Sequence, residues 1–321
     1  AEYKDIKGYT IKVTDTDPEL YAGSWSSGGS LNQSRYSIAG AGTQTAGLAF
    51  GGFSAPSRRN ETEEYNGTSW SEQNNLNMAR NELTGAGTQT AALAAGGYSP
   101  TVPGATNDAE TYNGTSWTEI SNLNTARDNL GSTAMGSVNT AVYILGGANV
   151  ESWNGSSWTE TTELNTPRGL NASAGTTTSG ITIGGDSYPN PRRANVESWN
   201  GSAWTEVADL STATSRAGAS GASNTAALSF AGETGPSPNY TNKTESFDGT
   251  SWTEVADMST ARYGLTGGGG AMPNSTALAS GGYTNSSSGV ANTEEWSFPS
   301  APAVQAGQVW VKTETGADTV L

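Results

Sequence analysis

Tyr65-Asn66-Gly67-Thr68-Ser69-Trp70-Ser71-Glu72 returns almost verbatim as Tyr112-Asn113-Gly114-Thr115-Ser116-Trp117-Thr118-Glu119 and again as Trp153-Asn154-Gly155-Ser156-Ser157-Trp158-Thr159-Glu160. Two further copies run from Trp199 to Glu206 and from Phe247 to Glu254, and a shortened Tyr21-Ala22-Gly23-Ser24-Trp25 opens the series. The tryptophans of successive copies are 45, 47, 41, 46 and 48 residues apart. A period of about 45 residues marks a chain built from stacked or radially arranged supersecondary units.

One period shows what the unit is. Glu82-Leu83-Thr84-Gly85-Ala86-Gly87 reads as a strand of small residues, and Thr88-Gln89 as a turn. Residues 90–97 read as a second strand that ends on Gly96-Gly97. After a loop, Ala109-Glu110-Thr111-Tyr112 alternates polar and apolar as a half-buried strand does. Asn113-Gly114 predicts a two-residue type I′ hairpin, whose central positions both need positive φ. A fourth strand then starts at Trp117. Four antiparallel strands in each period of about 45 residues make a propeller blade.

The counts agree on six blades. Diglycines fall at 51–52, 96–97, 146–147, 184–185 and 281–282, with Ala231-Gly232 as the variant, and glutamates before an aromatic at Glu63, Glu110, Glu151, Glu197, Glu245 and Glu294. The last repeat stops at Trp296-Ser297-Phe298 without an Asn-Gly turn, while the first begins with an isolated fourth strand at Trp25. The N-terminal strand should therefore complete the last blade and close the ring, which removes exposed sheet edges. The predicted fold class is all-β, a six-bladed β-propeller of four-stranded blades over residues 20–299, with extended tails at 1–19 and 300–321.

Composition agrees. Only 34% of the chain is hydrophobic, 42 residues are glycine and ten are tryptophan. Small residues suit the crowded inner strands of a wedge-shaped blade, and tryptophans fill the widening space between outer strands. The net charge of −15 and pI near 4.3 run against nucleic-acid and anionic-membrane partners. No apolar run approaches the ~20 residues that span a bilayer. The segment Ala1-Glu2-Tyr3-Lys4-Asp5 carries no signal-peptide core, so the chain reads as a mature form or one lacking only its initiator methionine. Histidine and cysteine are absent altogether, which removes the commonest general base, disulfides and thiolate metal sites. No catalytic residue, metal ligand or cofactor is expected.

The diglycine followed by a paired aromatic and tryptophan resembles the kelch-type β-propellers over roughly residues 21–298, with a tighter aromatic-to-tryptophan spacing. The near-verbatim Asn-Gly-Thr-Ser-Trp-Thr-Glu and Gly-Thr-Gln-Thr-Ala repeats also look like repeat proteins of marine bacteriophage virions. That resemblance implies a tail, fibre or surface protein in contact with a host.

Candidate sites follow from what the blades do not need. The tails hold strand-like stretches around Tyr9, Ile11 and Val13 and around Val309, Trp310 and Val311. These strands either pair with each other or lie along their own blade, or they add to a sheet of a neighbouring copy by β-augmentation. Six repeat arginines, Arg35, Arg80, Arg127, Arg168, Arg216 and Arg262, are expected to pair with the repeat glutamates. The variable loops after the diglycines should share one face, opposite the tails, and binding sites concentrate on such loops. Tyr98, Tyr188, Tyr240, Tyr283, Arg58 and Arg192 are the ligand candidates there. Asn66, Asn113, Asn154 and Asn200 match the N-glycosylation pattern, but the hairpin requirement already explains them, and a chain this rich in Asn, Ser and Thr makes such matches by chance.

The expected role is a non-catalytic structural and adhesive surface protein. It self-assembles through its tails, is extracellular or on a virion surface, and presents loops to a glycan or receptor. A stand-alone carbohydrate-binding propeller without self-assembly is the alternative.

Overall fold

The computed structural model describes residues 23–102, 104–187, 192–235, 239–268, 272–284 and 289–298, together with the backbone of Trp310–Lys312 and Asp318–Val320. Among the described residues there is no helix. Six blades stand around one axis, and five of them are four-stranded antiparallel sheets in simple sequence order. In the first, Ala39–Thr43, Ala46–Phe50, Thr62–Tyr65 and Trp70–Gln73 run from the axis outwards. The sixth joins Thr276–Ser280 and Thr293–Ser297 to the N-terminal strand Ser24–Gly28. Its innermost position is held by Thr266, bridged to Ser280. The ring closes as the sequence predicts, with Trp25 opposite Trp296.

The inner strands are small because they must be. In blade 2, Thr84–Thr88 reads TGAGT, and a β-carbon on its Gly85 would lie 2.5 Å from both the Gly40 carbonyl oxygen and Phe50 of blade 1. At the rim the repeat aromatics stack in cross-strand pairs. Tyr65–Trp70, Tyr112–Trp117, Trp153–Trp158, Trp199–Trp204 and Phe247–Trp252 have ring centroids between 4.9 and 5.1 Å apart. Each pair packs into the gap toward the preceding blade. Trp153 and Trp158 of blade 3, for instance, share a buried cluster with Leu93 and Ala95 of blade 2.

Polar atoms also tie blade to blade. The Trp70, Trp117 and Trp25 indoles donate to Thr293, Thr62 and Thr244 of the preceding blade at 3.0, 2.9 and 2.9 Å. Where that blade carries Ala or Val at the threonine position, the indole turns to a backbone carbonyl instead, as Trp158 does to Ser121 at 2.8 Å. Gln89, in the turn between the first two strands, donates to the Gly47 and Tyr65 carbonyls of blade 1.

One local expectation is corrected. Tyr65 pairs directly with Trp70, so the Asn-Gly hairpin is a four-residue loop and not a two-residue type I′ turn. Gly67 has positive φ (88°) and Asn66 does not. The asparagine serves through its side chain: Asn66 Oδ1 accepts from the Thr68 and Ser69 amides at 3.0 and 2.9 Å, an Asx turn that the backbone alone does not supply. Asp248 does the same in blade 5 at 2.8 Å to both amides, which holds its carboxyl below the usual range.

The antiparallel order sets the two faces of the disc. Loops between second and third strands, and the links between blades, lie on one face. Asn-Gly loops lie on the other, where Ser24 and Ser297 stand side by side. Chain entry and exit are thus opposite the variable loops. Tyr9, Ile11, Val13 and Val309 lie outside the described residues. Trp310–Lys312 pairs antiparallel with Asp318–Val320, so one edge of that strand is met within the C-terminal segment itself.

Candidate functional site

What recurs in every blade is architecture, and it accounts for most of the buried charge. Glu63 accepts the Asn32 amide and side chain on one oxygen at 2.7 and 2.9 Å, and Arg35 on the other at 2.9 Å. Arg35 also donates to the Gly51 and Glu61 carbonyls at 3.2 and 2.7 Å, pinning both ends of the variable loop. The same unit is built from Arg80–Glu110, Arg127–Glu151, Arg168–Glu197 and Arg262–Glu294. Burial pulls the Arg35, Arg80, Arg168 and Arg262 guanidinium groups below their usual range, Arg262 to about 10, while the paired glutamate opposes the shift.

Blade 5 breaks the pattern and corrects the expectation for Arg216. In structural register the arginine position is Thr214, two residues earlier, and Arg216 stands where the other blades have Ser37, Glu82, Asn129, Leu170 and Gly264. These six residues form the innermost circle of the loop face, all with φ between 52° and 64°. Their backbones bond around the axis: Ser37 to Gly264, Gly264 to Arg216, Arg216 to Leu170, Leu170 to Asn129, and through Leu130 and Glu82 back to Ser37. Arg216 reaches across the axis to Glu82 of the opposite blade at 3.3 Å. Beneath the circle is a cavity of about 20 Å³, room for one water.

The next circle is where the blades differ. In five of the six blades the residue before the circle member forms a two-bond backbone bridge with the residue after the diglycine: Tyr36–Phe53, Asn81–Tyr98, Gly169–Asp186, Ser215–Glu233 and Tyr263–Tyr283. Blades 6 and 1 carry aromatics on this frame, and blades 4 and 5 carry acids. Tyr240 joins the aromatic side from the loop of blade 5. Tyr36–Tyr283, Tyr240–Tyr263 and Tyr263–Tyr283 centroids are 5.0, 5.1 and 5.2 Å apart, and Phe53 abuts Tyr36 at 5.5 Å. The rings pack against one another and leave no cage, so they form a platform. Each is half-buried. None of the four phenol hydroxyls has a hydrogen-bond partner among the described residues, and none is sealed from solvent.

Electrostatics bind the two halves together. The Arg216 guanidinium lies 5.4 Å from the Tyr263 ring centre, a cation–π contact. Its side chain is 24% exposed, and Glu82's is 18%. Burial raises the Glu82 carboxyl above its ordinary value and Arg216 counteracts this. Asp186 is raised by burial too, against the opposing pull of Arg216 and Arg192. Burial pushes the Tyr263 phenol up to about 12.

The sequence candidates divide. Tyr240 and Tyr283 meet in the platform. Tyr98 lies at its margin under Arg58, 4.1 Å from guanidinium carbon to ring centre. Arg192 is ion-paired with Glu233 among the acids. Tyr188 lies outside the described residues. Tyr36, Phe53, Tyr263, Glu82 and the axial place of Arg216 escaped sequence reading. The signal for Tyr36 and Tyr263 was present: each follows a repeat arginine, at a position that otherwise holds Asn81, Asp128, Gly169 and Ser215. Variation inside a strict repeat marks a position the architecture leaves free. No group of three or more His, Cys, Asp or Glu is placed to hold a metal among the described residues. No protein-family profile matches this chain, and no curated protein matches it in sequence.

Proposed function

We propose that this protein is a non-catalytic structural and adhesive surface protein whose loop face holds a carbohydrate on the tyrosine platform. The observation behind this reading is the convergence of Tyr36, Tyr240, Tyr263 and Tyr283, whose hydroxyls have no hydrogen-bond partner among the described residues, at positions the blade does not require. The C–H face of a pyranose packs on an aromatic ring, while its hydroxyls exchange hydrogen bonds with phenols and carboxylates. Glu82 pairs with Arg216, and Asp186 feels the same guanidinium, so both offer acceptors on this face. A packed platform suits a flat sugar better than a small cation, which needs rings spread around it.

Two features support a display role. Entry and exit strands sit together on the face opposite the platform, so an attachment through the tails leaves the platform outward. The Asn-, Ser- and Thr-rich, strongly acidic chain suits an exposed surface. The setting in this reading is a virion appendage or an extracellular filament, joined through strands at the tails.

A glycan array probed with the protein and with its Tyr263→Ala variant tests the binding reading. A defined set of glycans bound by the wild type and lost by the variant is expected. No bound glycan, or an unchanged set, would overturn it, and hydrolysis of a bound glycan would overturn the non-catalytic part. Sedimentation with and without residues 1–19 or 300–321 tests assembly. Monomers in all three samples would leave a stand-alone binding module.

A further inference from the structure

Blade 5 keeps the buried glutamate of the repeat but lacks its arginine. Glu245 is 5% exposed, and its Oε2 accepts the Ser211 amide at 2.8 Å, as Glu63 accepts that of Asn32 at 2.7 Å. Its carboxylate therefore stands where its five counterparts stand. In those blades the other oxygen faces a guanidinium. In blade 5 the arginine is replaced by Thr214, whose buried Oγ1 has no hydrogen-bond partner among the described residues.

The carbonyls that receive the arginine in other blades are also in place. Arg35 donates to the carbonyls of Gly51 and Glu61, and Arg168 to those of Gly184 and Asn195. The counterparts in blade 5 are Ala231 and Lys243, held by the same bond, Ala231 N to Lys243 O at 2.9 Å. Lys243 does not supply the missing charge inward: its ammonium is turned out to Glu254, at 2.5 Å, with a 41% exposed side chain. By register with the other blades, a Glu245 carboxylate oxygen, two backbone carbonyls and a threonine hydroxyl are what blade 5 offers at the place of a guanidinium.

From this arrangement we infer that blade 5 binds a monovalent metal cation, sodium or potassium, in the vacated arginine slot. All four donors are oxygens, which suits hard cations. One carboxylate balances one positive charge, as in the other five blades, whereas a divalent ion would leave an unbalanced buried charge. The cation restores the link between third strand, loop ends and interblade connection that arginine provides elsewhere. This inference does not rest on the carbohydrate reading.

The experiment compares thermal unfolding of the full chain in 150 mM sodium, potassium and tetramethylammonium chloride, beside the Thr214→Arg variant. The expected result is a midpoint about 3–5 °C higher in one of the metal salts for the wild type, saturable with concentration. Thr214→Arg should melt at or above the wild type and lose the salt-specific shift, because arginine fills the slot covalently. Equal wild-type midpoints in all three salts, or the same shift in a folded variant, would overturn the inference. Should the variant not fold, crystals of the wild type soaked in rubidium decide: an anomalous peak beside Glu245 supports the site, and no peak there overturns it.

Discussion

Replacing Arg80 by methionine removes the cation from one of the five arginine units while keeping most of the side chain's length. In the folded protein Arg80 is fully buried and donates to the Gly96 carbonyl, the Asp108 carbonyl and Glu110 at 3.2, 2.7 and 3.0 Å. Glu110 is 1% exposed and would keep only its bonds from Asn77, at 2.9 and 2.8 Å. A buried charge stripped of its partner costs about 3–5 kcal/mol. For a ring of this size each kcal/mol lowers the midpoint by about 2 °C, so a fall of about 6–10 °C follows. Glu110→Gln should cost a comparable amount, since it strands the guanidinium. The double variant should cost less than the sum, with a coupling of at least about 2 kcal/mol in a double-mutant cycle. Urea unfolding followed by tryptophan fluorescence reads all four proteins. A cost below about 1 kcal/mol for Arg80→Met, or strict additivity, would refute the view that these pairs hold the loop ends.

Three further outcomes follow. Gly85→Ala forces a methyl to within 2.5 Å of the Gly40 carbonyl oxygen and should cost about 1–3 kcal/mol by overpacking, read by the same unfolding assay. Trp117→Phe removes the donor to Thr62, at 2.9 Å in a buried gap, and should cost about 1–3 kcal/mol, whereas Thr62→Val with Trp117→Phe should recover part of it. Tyr65 and Tyr263 are both raised from 10 to about 12, chiefly by burial. The folded state therefore holds these phenol protons more tightly than the unfolded chain. That stabilisation is fully present below pH 10 and is lost as pH rises through about 12, so the midpoint should fall across this window, alongside late-ionising tyrosines in an ultraviolet titration.

The blade was legible because its signals are local and repeated. The Asn-Gly-Thr-Ser-Trp cassette marks the rim, the diglycines mark the end of each second strand, and the unpaired Trp25 announces how the ring closes. Glycine and alanine in the inner strands followed from crowding at the axis, and Gly85 bears this out. The Asn-Gly loop was misjudged in type because the asparagine's contribution comes from side-chain Oδ1, which leaves no dihedral signature in sequence. Arg216 departs from its expected pairing because it stands two residues beyond the repeat-arginine position, a shift that the irregular spacing of the repeats conceals. Two residues divide a slot facing Glu245 from a place on the axis facing Glu82, 134 positions away. The platform was half legible: Tyr240 and Tyr283 lie in variable loops, but Tyr36 and Tyr263 hide beside repeat arginines. Only the ring's curvature brings blades 5, 6 and 1 together over one patch.

Isothermal titration of the best glycan from the array, against the wild type, Tyr283→Ala and Asn200→Ala, tests the carbohydrate reading most directly. Tyr283 sits in the platform, and Asn200 on the opposite face in an Asn-Gly loop. The account predicts at least a tenfold weaker Kd for Tyr283→Ala, about 1.4 kcal/mol or more, and an unchanged Kd for Asn200→Ala. Equal affinity in Tyr283→Ala, or a loss confined to Asn200→Ala, would contradict it.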